Sequence, residues 1–183
     1  MTISQDRWTV VLLAVLAALA LAACEPDAES SGNARGDVQT ISSASAVAAI
    51  EQMDGSFNCA EPIRRADDFA WICEGSRQPM TATVHVYALE PDGPVFGVTI
   101  YTQAPAAPER EQAVDATADL ARDVIQVAVP QQWREAAATW ISEHLPDGGR
   151  TLDVPDAGIT ASVQPLAGLQ WYMELYELDG LQS

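Results

Sequence analysis

The chain has 183 residues, 26 of them Asp or Glu and 9 of them Arg, with no Lys, for a formal net charge of −17. Such acidity repels nucleic-acid phosphates at long range and denies the chain an electrostatic hold on anionic lipid headgroups. A hydrophobic share of 48% over this length supports one domain with a real core rather than two independent ones.

The first element is a short head carrying Arg7, offset by Asp6, followed by an uncharged apolar run from Trp8 to Ala23. The run is shorter than the roughly 20 residues that a bilayer core demands, which favours a cleaved export signal over a permanent span. It closes on Leu21-Ala22-Ala23-Cys24. These four positions resemble the lipobox of bacterial lipoproteins, where small residues admit a peptidase that cuts just before a diacylglycerol-bearing cysteine. The resemblance covers the signal alone. It implies a signal peptide over 1–23, lipidation of Cys24, and a bacterial envelope protein anchored by lipid and facing the periplasm. Acyl chains, palmitate among them, would hold it firmly, since each buried methylene contributes about 0.8 kcal/mol. In lipoproteins of enteric bacteria, Asp after the acylated cysteine commonly marks retention at the inner membrane. Glu25 stands there in this chain, which points to the outer membrane rather than the inner.

Losing Asp6 and Arg7 with the signal leaves the net charge unchanged. Residues 24–40 read as the acylated cysteine and a flexible tether, polar and free of aromatics, spanning about 20 Å root-mean-square. Its Arg35-Gly36-Asp37 tripeptide is too short a match to carry meaning. Residues 41–183 read as a single globular domain. Acylation of Cys24 also resolves the odd cysteine count: Cys59 and Cys73 remain as a pair, and an oxidising periplasm joins such a pair as a disulfide. Redox or zinc-site spacing is absent around them, and no His adjoins them.

Within the domain, a helix capped by Ser42 or Ser43 runs to about Met53, with Gly55 as terminator. Short strands follow over 57–60 and 69–74, the latter placing Phe69, Trp71 and Cys73 on one side. Segments 80–89 and 95–102 alternate in polarity and are joined by Glu90-Pro91-Asp92-Gly93, a good hairpin turn. Their strongest apolar side holds Val84, Val86, Phe96, Val98 and Ile100; the other holds Thr83, His85, Tyr87, Val95, Thr99 and Tyr101. A helix then starts near Pro108 and ends at Pro130, with Ala113, Val114, Leu120, Ala121, Val124 and Val127 as its stripe. Another runs over 131–145, burying Trp133, Ala137, Trp140 and Ile141, before Pro146-Asp147-Gly148-Gly149 stops it. Strands over 150–154, 159–164 and 169–178 complete the chain. The order α-βββ-αα-βββ predicts an α+β, two-layer domain, its helices packed on one face of a mainly antiparallel sheet.

Parts of an active site are hard to assemble from this sequence. His85 lies on the polar side of a strand and His144 near a helix end, neither at ligand spacing to a second His or Cys. No nucleophile elbow, phosphate loop, dinucleotide fingerprint or zinc-helix motif occurs. Glu111, Asp115, Asp119 and Asp123 recur every four residues on one helix, and such a straight row reads as a solvated face rather than a calcium loop. Asp67-Asp68 beside Arg64-Arg65 reads as a polar loop. No cofactor and no metal is expected.

One distribution stands apart. Tyr87, Tyr101, Tyr172 and Tyr176 all fall on the strand sides opposite the strongest apolar stripe, with His85 among them. Tyr offers contact area and a hydroxyl, which suits a recognition surface, although Tyr and Thr also favour exposed strand positions in general. The leading expectation is a non-enzymatic module binding a periplasmic protein or small ligand. A structural or assembly accessory of an envelope complex is the alternative, and a hydrolase acting on cell-wall material ranks last. Partners are then the membrane, through the N-terminal lipid, and a periplasmic protein, with nucleic acid excluded. For the lipid, Cys24→Ala should abolish metabolic labelling by palmitate and leave unprocessed precursor; normal processing of the variant would sink the lipobox reading.

Overall fold

Eight antiparallel strands and three helices form from the residues that a computed structural model describes, 40–54, 56–105, 109–154 and 159–177. The signal, Cys24, the tether up to residue 39, Gly55 and Pro108 lie outside them. The helices are α1 (Ser43–Glu51), α2 (Arg110–Ala128) and α3 (Arg134–His144). The strands are β1 (Asn58–Cys59), β2 (Ile63–Arg64), β3 (Phe69–Arg77), β4 (Met80–Ala88), β5 (Val95–Gln103), β6 (Gly149–Val154), β7 (Ile159–Leu166) and β8 (Gln170–Glu177).

The strands build one sheet in the order β1-β3-β4-β5-β8-β7-β6, with β2 also pairing β3. Two meanders, β3-β4-β5 and β6-β7-β8, therefore meet where β5 lies beside β8. This is the α+β architecture that the element order predicts. The short edge of β1 and β2, unbroken in neither sequence nor register, was legible only as β1; Pro62 separates the two, and a proline is tolerated at such an edge because no ladder donor is lost. Helix α1 packs on β3 and β4, α2 on β4 and β5, and α3 on β6 and β7. Between the layers lies the core, with Val84, Val86, Val98, Ile100, Met173 and Leu175 from the sheet against Ile50, Leu120, Val124 and Ile141 from the helices.

Local chemistry explains the helix bounds. Ser42 caps α1, its Oγ accepting from the Ser45 N–H at 3.2 Å. Ser43 ties the same end to the β4–β5 turn: its Oγ donates to the Pro91 carbonyl at 2.7 Å and its N–H to that of Gly93 at 2.9 Å. In α2 the buried stripe is Ala113, Thr117, Leu120, Ala121, Val124, Ile125 and Ala128, while Val114 and Val127 are half-buried. Thr117 is admitted to it because its hydroxyl meets that of Thr102 at 3.3 Å. The segment read as one helix over 131–145 opens instead as a tight 3-10 turn, Gln131–Trp133, leaving Trp133 half-buried. The Trp133 N–H bonds the Pro130 carbonyl at 3.0 Å, the short-range pattern that commonly starts a helix. Gly148, with φ at 76°, closes α3 by donating its N–H to the His144 carbonyl at 2.8 Å. Trp171 is 1% exposed, and its indole N–H donates to the Leu145 carbonyl at 3.1 Å, joining β8 to the end of α3.

One register departs from simple alternation. Tyr87 pairs Gly97, yet Ala88 pairs Val95, so Phe96 is an extra residue in a β-bulge. A bulge inverts side-chain parity beyond it. Val95 consequently turns into the core and Phe96 does not, the reverse of the pattern read along 95–102.

Cys59 and Cys73 are register partners on β1 and β3 and form a disulfide, as their isolation in the sequence suggests. They are 14 residues apart, and Cys73 is fully buried. Closing a loop of that size stabilises by roughly 3 kcal/mol in the chain-entropy treatment. A Cys59→Ala, Cys73→Ala double variant should lose about 2–4 kcal/mol by urea unfolding; an unchanged midpoint would show that β1 is held by other contacts.

Candidate functional site: the open face of the sheet

Alternation sends the remaining strand residues to the face opposite the helices, and the pairing of β5 with β8 decides which of them meet. Thr99 on β5 lies between His85 on β4 and Glu174 on β8. Two residues along the strands, Gly97 lies between Tyr87 and Tyr176. In the other direction Tyr101 lies between Thr83 and Tyr172. Beyond β8, Ser162 on β7 pairs Glu174 and Gln164 pairs Tyr172. All four tyrosines and His85 thus share three adjacent strands.

Gly97 permits the densest contact. A Cβ there would stand 2.4 Å from Cδ1 of Tyr176, because that ring lies down across the glycine. The Tyr176 and Tyr87 rings stack over it, with centroids 6.0 Å apart and planes at 29°. Covering a strand glycine with a neighbour's aromatic ring is a known means of filling the gap that its missing side chain leaves. Phe96 from the bulge adds a tilted contact to Tyr87 at 6.3 Å. On the far side, the Arg65 guanidinium lies 5.3 Å from the centroid of the Tyr87 ring, a cation–π geometry. Arg65 also pairs with Asp68 at 3.3 Å.

The hydroxyls form two networks. Thr99 donates to Tyr87 at a long 3.4 Å, and Tyr87 meets Nδ1 of His85 at 3.1 Å. Burial first, then the Arg65 charge, push the His85 pKa below its ordinary 6.5, so its ring is neutral at pH 7. Neutral Nδ1 can then accept the Tyr87 proton, which leaves the ring proton on Nε2. Thr99 has used its own proton, so Tyr176, also 3.4 Å away, donates to it. The second network centres on Glu174, whose Oε1 accepts from Tyr172 at 2.5 Å and whose Oε2 accepts from Ser162 at 3.1 Å. Burial and then the Glu174 hydrogen bond push the Tyr172 phenol well above its ordinary 10.0, and burial raises Tyr176. Tyr101 donates to Oε1 of Gln170 at 3.0 Å.

These contacts make the face drier than alternation alone implies. Thr99 is 4% exposed, Ser162 6% and Tyr87 7%, whereas Tyr101, Tyr172, Tyr176, His85 and Glu174 are half-buried. Gly97, Ser162 and Gln170 join the site with no reading along the chain to mark them, and Arg65, which reads as part of a polar loop, joins them. Gly97 alone carried a usable signal, since an isolated glycine inside a strand pattern marks a bulge or close approach; both occur there.

Other candidates are dispersed. His144 ends α3, its ring stacked on Trp140 at 4.5 Å and its Nδ1 2.8 Å from the Trp140 carbonyl oxygen. In the helical carboxylate row, Asp119 pairs with Arg122 at 2.6 Å and Asp123 with Arg77, while Glu111 and Asp115 are exposed. Among the described residues no three His, Cys, Asp or Glu converge as metal ligands. A slot of about 20 Å³ opens beside Phe96, Gly97, Trp133 and Tyr176, room for a single water. Shallower hollows adjoin Ser45 and Asp92, and Arg122 and Glu143. None of these three clefts holds His85 or a pair of carboxylates.

Fold and face together define a two-layer α+β domain with a tyrosine-lined sheet surface opposite its helices. No protein-family model, curated protein or solved structure matches the chain. The stacked tyrosines give the surface a direct test. Gly97→Ala should displace the Tyr176 ring, reduce the near-ultraviolet circular dichroism of the tyrosines and cost about 1–3 kcal/mol of stability. An unaltered spectrum and unfolding midpoint would mean that the ring does not rest on this glycine.

Proposed function

We propose that the protein is a bacterial envelope lipoprotein, anchored through Cys24 and facing the periplasm from the outer membrane, whose domain is a binding module. The open sheet face is its recognition surface, and a periplasmic protein is its partner. One observation carries this reading: four tyrosines and His85 lie on three adjacent strands, their hydroxyls oriented by hydrogen bonds. A surface held in place before contact loses little side-chain entropy on binding, and tyrosine is among the residues enriched in protein interfaces. Lipidation would supply the location, and the polar stretch after Cys24 would let the domain reach away from the membrane.

Site-specific photocrosslinking in cells tests the surface. A benzophenone amino acid placed at Thr83 or Gln164 on the open face should yield discrete protein adducts. The same probe at Glu111 or Gln126 on the helix side should not. Adducts from the helix positions alone would overturn the assignment.

A further inference from the structure

We propose that the Glu174 side of this face receives a lysine or arginine side chain from a basic segment of the partner protein, an inference that rests on the binding reading above. Glu174 lies between Tyr172 and Tyr176 on the same side of β8, with Ser162 beside it on β7 and Thr99 on β5. Each carboxylate oxygen accepts one hydroxyl proton, from Tyr172 and from Ser162, which fixes the orientation of the group. Each oxygen retains a second acceptor position.

Among the residues whose side chains are described, which exclude 149–159, the ion pairs are Arg65–Asp68, Arg77–Asp123 and Arg122–Asp119, and Glu174 belongs to none of them. The other half of the face shows what such a surface accommodates: there the ring of Tyr87 carries the Arg65 guanidinium. On the β8 half, Tyr172 and Tyr176 flank a carboxylate instead, the pairing of aromatic rings and negative charge that suits an ammonium or guanidinium group. A net charge of −17 steers basic partners towards the domain and repels acidic ones. Successive rows of the face stand two strand residues apart, about 7 Å, which is also the repeat of like-facing side chains in an extended peptide. That match favours a polypeptide over a small amine.

The probe is an acetylated, amidated hexapeptide of alternating lysine and threonine, titrated into the full chain in detergent micelles. Calorimetry reads affinity and amide chemical shifts read location. The shifts should fall on β4, β5, β7 and β8, and the matching glutamate–threonine peptide should not bind. Glu174→Gln should weaken the lysine peptide about tenfold. Asp115→Asn, which removes the same unit of charge from exposed α2, should leave the affinity unchanged. Equal losses in both variants, or shifts confined to α2, would reduce the effect to bulk charge and overturn the proposal. Spermidine binding as tightly at the same residues would overturn the polypeptide partner. If photoadducts at Thr83 and Gln164 persist undiminished in Glu174→Gln, the recognition face stands and the cation proposal falls; if neither position ever yields adducts, the face itself is at fault.

Discussion

Strand β5 pairs with β8 along its length from Gly97 to Gln103, and this single ladder creates both surfaces of the sheet. On one side it sets Val98 beside Leu175 and Ile100 beside Met173, the centre of the core. On the other it sets Gly97 beside Tyr176, Thr99 beside Glu174 and Tyr101 beside Tyr172. The two meanders would otherwise belong to separate sheets of five and three strands, each holding part of the core and part of the open face. Because the ladder joins segments far apart in the chain, it forms only after a large loop closes, with helices α2 and α3 inside that loop. The Trp171 indole bond to Leu145 ties the same strand to the helix layer and so couples the two commitments.

The core and the open face consequently share one register. Apolar burial on the helix side holds β5 and β8 in register, and that register holds the tyrosines at their spacing. The edges are handled differently. At one side, β1 and β2 interrupt the outer edge with Pro62 and a disulfide rather than presenting a long flat strand. Broken edges of this kind discourage pairing with other chains.

Charge is arranged with similar economy. Arg77 and Arg122 meet Asp123 and Asp119 along α2, so the carboxylate row is partly neutralised while remaining the solvated face that its spacing suggests. On the open face the one cation in contact with a tyrosine, among the described residues, is Arg65. Its charge contributes to keeping His85 neutral, so that Nδ1 can accept the proton of Tyr87. Among the residues whose side chains are described, the Glu174 half of the face has no such resident.

Much of this was legible in the residues. Period-two alternation assigned Tyr87, Tyr101, Tyr172, Tyr176 and His85 to the side away from the core, because successive side chains of a strand must point to opposite faces. The two domain cysteines could be paired from their count and the compartment that the lipobox resemblance implies, and the α2 stripe from its helical repeat. Alternation says which way a side chain points but not which strand lies beside it, so the neighbours of Thr99 were beyond reach until β5 met β8. The parity of Val95 and Phe96 departs from alternation for a related reason: a bulge is a property of two paired strands, and neither sequence segment records it alone. Burial of Thr99 and Ser162 on the face opposite the helices follows from the same cause, since rings from adjacent strands must first be brought together before they can cover anything. Local chemistry set the orientation of each residue, and long-range pairing set its company.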